Sequence, residues 1–149
     1  MPNLLIGSVN HQLDEKGRMR IPAKFRDGIG ANPFAMPGKN GCIYIVPAEN
    51  AQKVLGSIMS GDLYSRTDEQ SEAISYLSAN TEMLVEDNQG RTVLPKNLKD
   101  KAKIRKDIVV VGVFDHLEVW AEEVYNERYS VLDPDKIKKM LSALEKRGV

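Results

Sequence analysis

The chain has 149 residues, enough for one ordinary domain or two very small ones. Lys+Arg and Asp+Glu number 21 each, for a formal net charge of zero; 42% hydrophobic and 28% charged residues make a globular composition, not a disordered one. A single cysteine, Cys42, excludes an internal disulfide framework and a cysteine-cluster metal site, and no apolar run approaches a membrane span. Met1-Pro2-Asn3-Leu4-Leu5 lacks the basic start and apolar stretch of a signal peptide, so a cytoplasmic location is expected.

In chain order, a strand is expected from Gly7 to Leu13, a tight turn at Asp14-Glu15-Lys16-Gly17, and a second strand at Arg18-Met19-Arg20-Ile21. Gly17 supplies the positive φ that such a turn needs, and Asp14 can accept backbone N–H groups. Arg18 and Arg20 alternate with Met19 and Ile21, the period-2 pattern of a sheet with one wet face. Pro22 ends the strand and suits the first turn of a short helix. The Gly- and Pro-containing stretch from Asp27 to Gly41 reads as a loop. Cys42–Val46 reads as a strand and Ala48–Met59 as an amphipathic helix. Thr67-Asp68-Glu69-Gln70 is a capping box, opening a helix expected to bury Ala73, Ile74 and Leu77.

The pattern then starts again. Asp87-Asn88-Gln89-Gly90-Arg91-Thr92-Val93-Leu94-Pro95 repeats Asp14 to Pro22 at an offset of 73 residues, with Asp, Gly, Arg and Pro coinciding. A lead-in strand is expected from Glu82 to Glu86 and a helix from Pro95 to Ala102. Strands are expected at Asp107–Phe114 and His116–Trp120, joined by a turn at Asp115-His116. Cys42–Glu49 matches His116–Glu123 at an offset of 74. Two matching blocks in the same order argue for duplication of a unit of about 70 residues. Asp133 and Pro134 make a good N-cap and first helical position, and the last helix places Ile137, Met140, Leu141 and Leu144 on one stripe.

Charge is blocked along the chain. Met1 to Arg26 has five basic residues against two acidic ones, net +3; Asp62 to Asp87 has seven acidic against Arg66, net −6. Lys96 to Lys106 has six basic against Asp100, net +5; Asp115 to Arg128 returns to −4. A neutral chain can thus present a basic face. The turns carry Lys16, Arg18 and Arg20 in the first unit and Gln89 and Arg91 in the second. A narrow β tip can enter a DNA major groove, where Arg reads guanine and Gln reads adenine. Lys24, Arg26, Lys96 and Lys99, farther from the tips in sequence, suit phosphates. Alternatively, Arg18 and Arg91 pair with Asp14 and Asp87 and simply hold the turns; the two roles are compatible.

These paired Asp-x-x-Gly-Arg turns, each followed by an aliphatic residue and Pro, closely resemble the MraZ family of bacterial transcriptional regulators. Leu13–Arg26, Asp87–Pro95 and Gly112–Trp120 carry the resemblance, which covers nearly the whole chain. It implies an α+β fold: a tandem swapped-hairpin, AbrB-like β-barrel with peripheral helices and an internal pseudo-twofold, with units 1–79 and 80–149. It further implies ring-shaped homo-oligomers in the nucleoid that bind tandem repeats in double-stranded DNA at the promoter of the division and cell-wall gene cluster, acting as a repressor. On this reading the DNA-binding residues are Lys16, Arg18, Arg20, Lys24, Gln89, Arg91 and Lys96, and the turn-forming residues are Asp14, Gly17, Asp87 and Gly90. Gln89 stands where a basic residue would strengthen the second tip, and Arg66 is nearly alone among Asp68, Glu69 and Glu72, so the tips are expected to contribute unequally.

Other classes are weaker. His11 and His116 lack partners at a metal spacing, Cys42 begins a strand and packs, and no phosphate loop occurs. No cofactor, metal or catalysis is expected. An RNA-binding module is the nearer alternative, although the tyrosines and Trp120 are not interleaved with the basic tips. A structural ring without nucleic acid is the third.

Overall fold

The computed structural model describes residues 4–59 and 61–147. The fold is α+β, with strands β1 (Leu5–Gln12), β2 (Arg18–Arg20), β3 (Phe34–Pro37), β4 (Ile43–Val46), β5 (Glu82–Met83), β6 (Arg91–Val93), β7 (Asp107–Phe114) and β8 (Leu117–Ala121). The helices are α1 (Ala23–Ile29), α2 (Ala51–Ile58), α3 (Asp68–Ala79), α4 (Lys96–Lys101), α5 (Glu122–Tyr129) and α6 (Pro134–Leu141).

Local chemistry explains most of the boundaries. The φ angles of Pro22 (−53°) and Pro95 (−56°) stand at the entries of α1 and α4. Thr67 accepts from the Gln70 N–H, and the Gln70 side chain accepts from the Thr67 N–H, closing the capping box of α3. Asp133 caps α6 by accepting from the Lys136 N–H, with Pro134 in the first turn.

The sheet order is β1-β7-β8-β4-β3-β5, all antiparallel, with β2 and β6 forming a separate two-stranded ribbon. The order is palindromic in the repeat. The first strand of each unit pairs in the other: β1 runs along β7, and β5 along β3. At the centre Tyr44 faces Glu118, with Ile43 opposite Val119 and Ile45 opposite Leu117. In the ribbon Met19 faces Thr92, with Arg18 opposite Val93 and Arg20 opposite Arg91. Both registers map onto themselves when the two units are exchanged.

One core spans both units. The aliphatic before each proline, Ile21 or Leu94, and the large residue three places after it, Phe25 or Leu98, are all buried in it, with Ile45, Ile108, Val110 and Val119. Each such side chain contributes about 1.5–3 kcal/mol by leaving water. A second cluster gathers Trp120, Cys42 and Val109 beneath Tyr125 and Tyr129.

Several expectations need correction. The six-stranded sheet is open, not a closed barrel: β1 and β5 are its edges, and β5 is only two residues long. Beyond Met83 the Leu84 N–H still donates to the Pro33 carbonyl, but Pro33 has no N–H to return and the pairing ends there. The lead-in strand expected to continue to Glu86 therefore ends early. The stretch read as a loop holds the end of α1 and all of β3, whose four residues were masked by Pro33, Pro37 and Gly38. On α3, Ala73 is exposed and Ile74 and Leu77 are only half-buried, so that helix covers the sheet edge without entering the core.

Candidate nucleic-acid interface

The two strands that flank each Gly turn do not pair with each other. They diverge, one into the large sheet and one into the β2–β6 ribbon. Each turn is instead closed by its own backbone. The Asp14 N–H donates to the Arg18 carbonyl at 2.9 Å and the Gly17 N–H to the Asp14 carbonyl at 2.9 Å; the matching bonds at Asp87, Arg91 and Gly90 are 2.8 and 3.1 Å. Gly17 and Gly90 have φ of 75° and 74°, the left-handed region that a side chain would strain.

The carboxylates are used identically. Asp14 Oδ1 accepts from the N–H groups of Lys16 and Arg18 at 3.0 and 2.9 Å, and Oδ2 accepts from Arg18 Nε at 2.7 Å. Asp87 Oδ1 accepts from Gln89 and Arg91 at 2.8 and 2.9 Å, and Oδ2 from Arg91 Nε at 2.8 Å. The Arg18 backbone bond is the largest influence holding the Asp14 carboxyl below its ordinary value, against a partial desolvation; the Arg91 backbone bond does the same for Asp87. Both aspartates therefore stay ionised and orient their arginines through Nε. That arrangement turns the outer edge of each guanidinium away from its anchor.

The ribbon brings the two turns together. Arg18 Nη1 lies 3.9 Å from Asp87 Oδ2, so the first arginine reaches the second turn's aspartate. Met19 and Thr92 point inward and are buried, leaving Arg18, Arg20, Arg91 and Val93 on the other face. Arg18 and Arg91 are partly exposed, with side-chain exposures of 24% and 26%. Lys16, Arg20 and Gln89 are exposed. The structure thus assembles five of the seven expected contact residues around the paired turns.

Lys24 and Lys96 are placed differently. Lys24 Nζ sits 5.6 Å from the Phe25 ring centroid and approaches Gly7 on β1. Lys96 pairs with Asp100 along α4 at 3.6 Å, with both side chains largely in solvent. Arg26 and Lys99, read from sequence as distant from the tips, are the unexpected members. A Cβ at Gly17 would stand 2.5 Å from Lys99 Nζ, and one at Gly90 would stand 3.3 Å from Arg26 Nη2. Each helix delivers its cation to the other unit's turn. Arg26 is balanced by Glu86 at 3.2 Å. The available signal was that Arg26 and Lys99 lie equally far beyond their own turn glycines; which turn they serve depends on the strand exchange.

Comparison with known proteins agrees with the repeat. A family model described as "MraZ protein, putative antitoxin-like" matches residues 4–65 and again 77–139, as a tandem repeat requires. A protein of Natranaerobius thermophilus named "Transcriptional regulator MraZ" is 37% identical over 123 residues, covering 83% of this chain and 85% of its own. A protein of the same name from Clostridium beijerinckii is 34% identical over 142 residues, covering 95% of this chain and 99% of its own. Another, from Lactobacillus gasseri, is 36% identical over 124 residues.

Proposed function

The chain belongs to the MraZ family, and from that premise we propose that it is a non-enzymatic transcriptional regulator that binds double-stranded DNA through its paired turns. The observation that carries this reading is the pairing of two identically built Asp–Arg turns on one ribbon. Each aspartate fixes an arginine by Nε, which pre-orients the rest of the guanidinium for the two-pronged contact that reads guanine O6 and N7. Gln89 adds an amide suited to adenine, and Lys16, Arg20 and Lys99 add positive charge beside it. Lys24 and Lys96 serve as outlying phosphate contacts, giving affinity without sequence preference.

The finer reading rests on the family resemblance. Units 1–79 and 80–149 act as swapped, AbrB-like repeats, a view supported by the exchange of β1 and β5 and by the β2–β6 ribbon. One ribbon covers a short stretch of duplex, so useful affinity comes from several ribbons on a ring-shaped homo-oligomer engaging tandem sites. The family resemblance makes the division and cell-wall promoter the target and repression the outcome. On this reading the protein works in the cytoplasm at the nucleoid. Among the described residues, no helix is long and apolar enough to cross a membrane.

The test is binding of tandem-repeat promoter duplex by R18A, R91A and the double variant, with circular dichroism and sedimentation as controls. Each single variant should lose specific binding by about 1–3 kcal/mol per lost base contact, and unequally. Unchanged binding by the folded double variant sinks the assignment. A preference for structured RNA over duplex would turn the reading toward RNA.

A further inference from the structure

Arg26 on α1 and Lys99 on α4 stand at matching places in the repeat, and each reaches the other unit's turn, but their surroundings differ. Arg26 Nη2 lies 3.2 Å from Glu86 Oε2 and 3.4 Å from Oε1, so its guanidinium is neutralised where it stands over Gly90. At the offset of 73 the counterpart of Glu86 is Leu13, which is buried in the core. The repeat thus shows that the turn can form without an acid at this place. Among the described residues, Lys99 forms no ion pair. The tips differ again at Lys16, whose counterpart is the uncharged Gln89.

The Arg26–Glu86 pair is half-exposed, and such a pair adds little to folding. Its effect is on binding. Non-specific affinity for a duplex comes from cations that displace condensed counterions at the phosphates, one contact at a time. A guanidinium that already carries a carboxylate displaces none, and the carboxylate itself repels the backbone. Lys16 and Lys99 are under no such restraint, so the first tip can settle on any duplex. The second tip offers Arg91, held by Asp87, and Gln89, which are side chains suited to base edges, with less charge to reward a wrong sequence.

We propose that Glu86 is a specificity-determining residue: by holding Arg26 it withholds one phosphate contact from the second tip, so that this tip adds affinity only where Gln89 and Arg91 meet matching bases. Glu86 is a positioning residue and touches no DNA itself; it acts through Arg26. The inference rests on duplex binding by the paired turns, and it deepens that reading by dividing the work between them: the first tip anchors and the second discriminates.

The test is binding of the full chain to tandem-repeat promoter duplex and to a scrambled duplex of equal length over a series of salt concentrations, with circular dichroism to confirm folding. E86Q should bind the scrambled duplex several-fold tighter, with a salt slope steeper by about 0.9 for each engaged subunit, the value of one added phosphate contact. Its preference for the promoter duplex should fall. E86A provides a second route to the same release. Adding Arg26→Gln should cancel the gain, because the acid acts through that side chain. E15Q, which removes an equal charge from the first turn and frees no paired cation, should leave the slope unchanged. A wild type that binds neither duplex overturns the duplex reading and this inference together. If the wild type binds the promoter duplex, the role of Glu86 alone is overturned by a slope that does not steepen in either folded Glu86 variant, by a gain equal on both duplexes, by a gain that survives Arg26→Gln, or by the same gain in E15Q.

Discussion

Arg20 stands directly opposite Arg91 on the β2–β6 ladder, while Arg91 Nε is held by Asp87 at 2.8 Å. Like charges facing each other across a ladder oppose pairing, so the ribbon carries a repulsion in the free protein. In the repeat, Arg20 corresponds to Val93. The substitution Arg20→Val should therefore stabilise the free protein by about 0.2–1 kcal/mol in urea denaturation. The same variant should bind promoter duplex more weakly and with a shallower dependence on salt. A variant that is both less stable and unchanged in binding would show that Arg20 acts in neither way.

The aspartates make a pH-dependent contribution. Their folded values lie below the ordinary 3.8, so the stabilisation is present above that value and is lost as pH falls through the depressed folded values. Stability of the wild type should decline with acidification in that window. D14N/D87N, which keeps the shape but cannot ionise, should show a flatter profile there. Urea denaturation at a series of acidic pH values measures the difference.

Replacing either turn glycine should strain the backbone. Gly17→Ala and Gly90→Ala should each cost about 1–2 kcal/mol, the usual penalty for a side chain in the left-handed region. At Gly17 the new methyl must also displace the flexible end of Lys99. Thermal melts should show both losses, and the Gly17 variant should lose DNA affinity in addition if Lys99 serves the first tip.

Cys42 should be inert in the folded chain. Burial, with the charge of Glu118 next, pushes its thiol up to about 12, leaving almost no thiolate near neutral pH. A thiol reagent at about pH 8 should label it only as fast as the surrounding cluster opens, and at once in denaturant. Rapid labelling under native conditions would mean that the Trp120 cluster is looser than its packing implies.

What sequence could reveal here was local. The Asp-x-x-Gly-Arg turns, the Thr67–Gln70 box and the Asp133–Pro134 helix start are written in neighbouring residues, and β7 is written in the apolar run that begins at Ile108. The α+β class, the repeat and the MraZ family membership were legible for the same reason. Partner choice was not. Alternation shows that Arg18 and Met19 face opposite sides, but not that β2 lies on β6 and not on β1. The position of Lys99 over Gly17 depends entirely on that choice. The strand β3 was hidden because it lies between Pro33 and Gly38 and itself ends in Pro37, the usual marks of a loop. The half-exposed face of α3 was hidden because an apolar stripe shows that a helix can bury a face, not that anything in its own chain covers it.

The pairing of β1 with β7 has a consequence during synthesis. Leu5 waits for Phe114, and Gln12 for Asp107. A nascent chain cannot complete its sheet until β7 and β8 have left the ribosome, and contacts so distant along the chain form slowly. Until then the apolar strands that will become the shared core have no lasting partner.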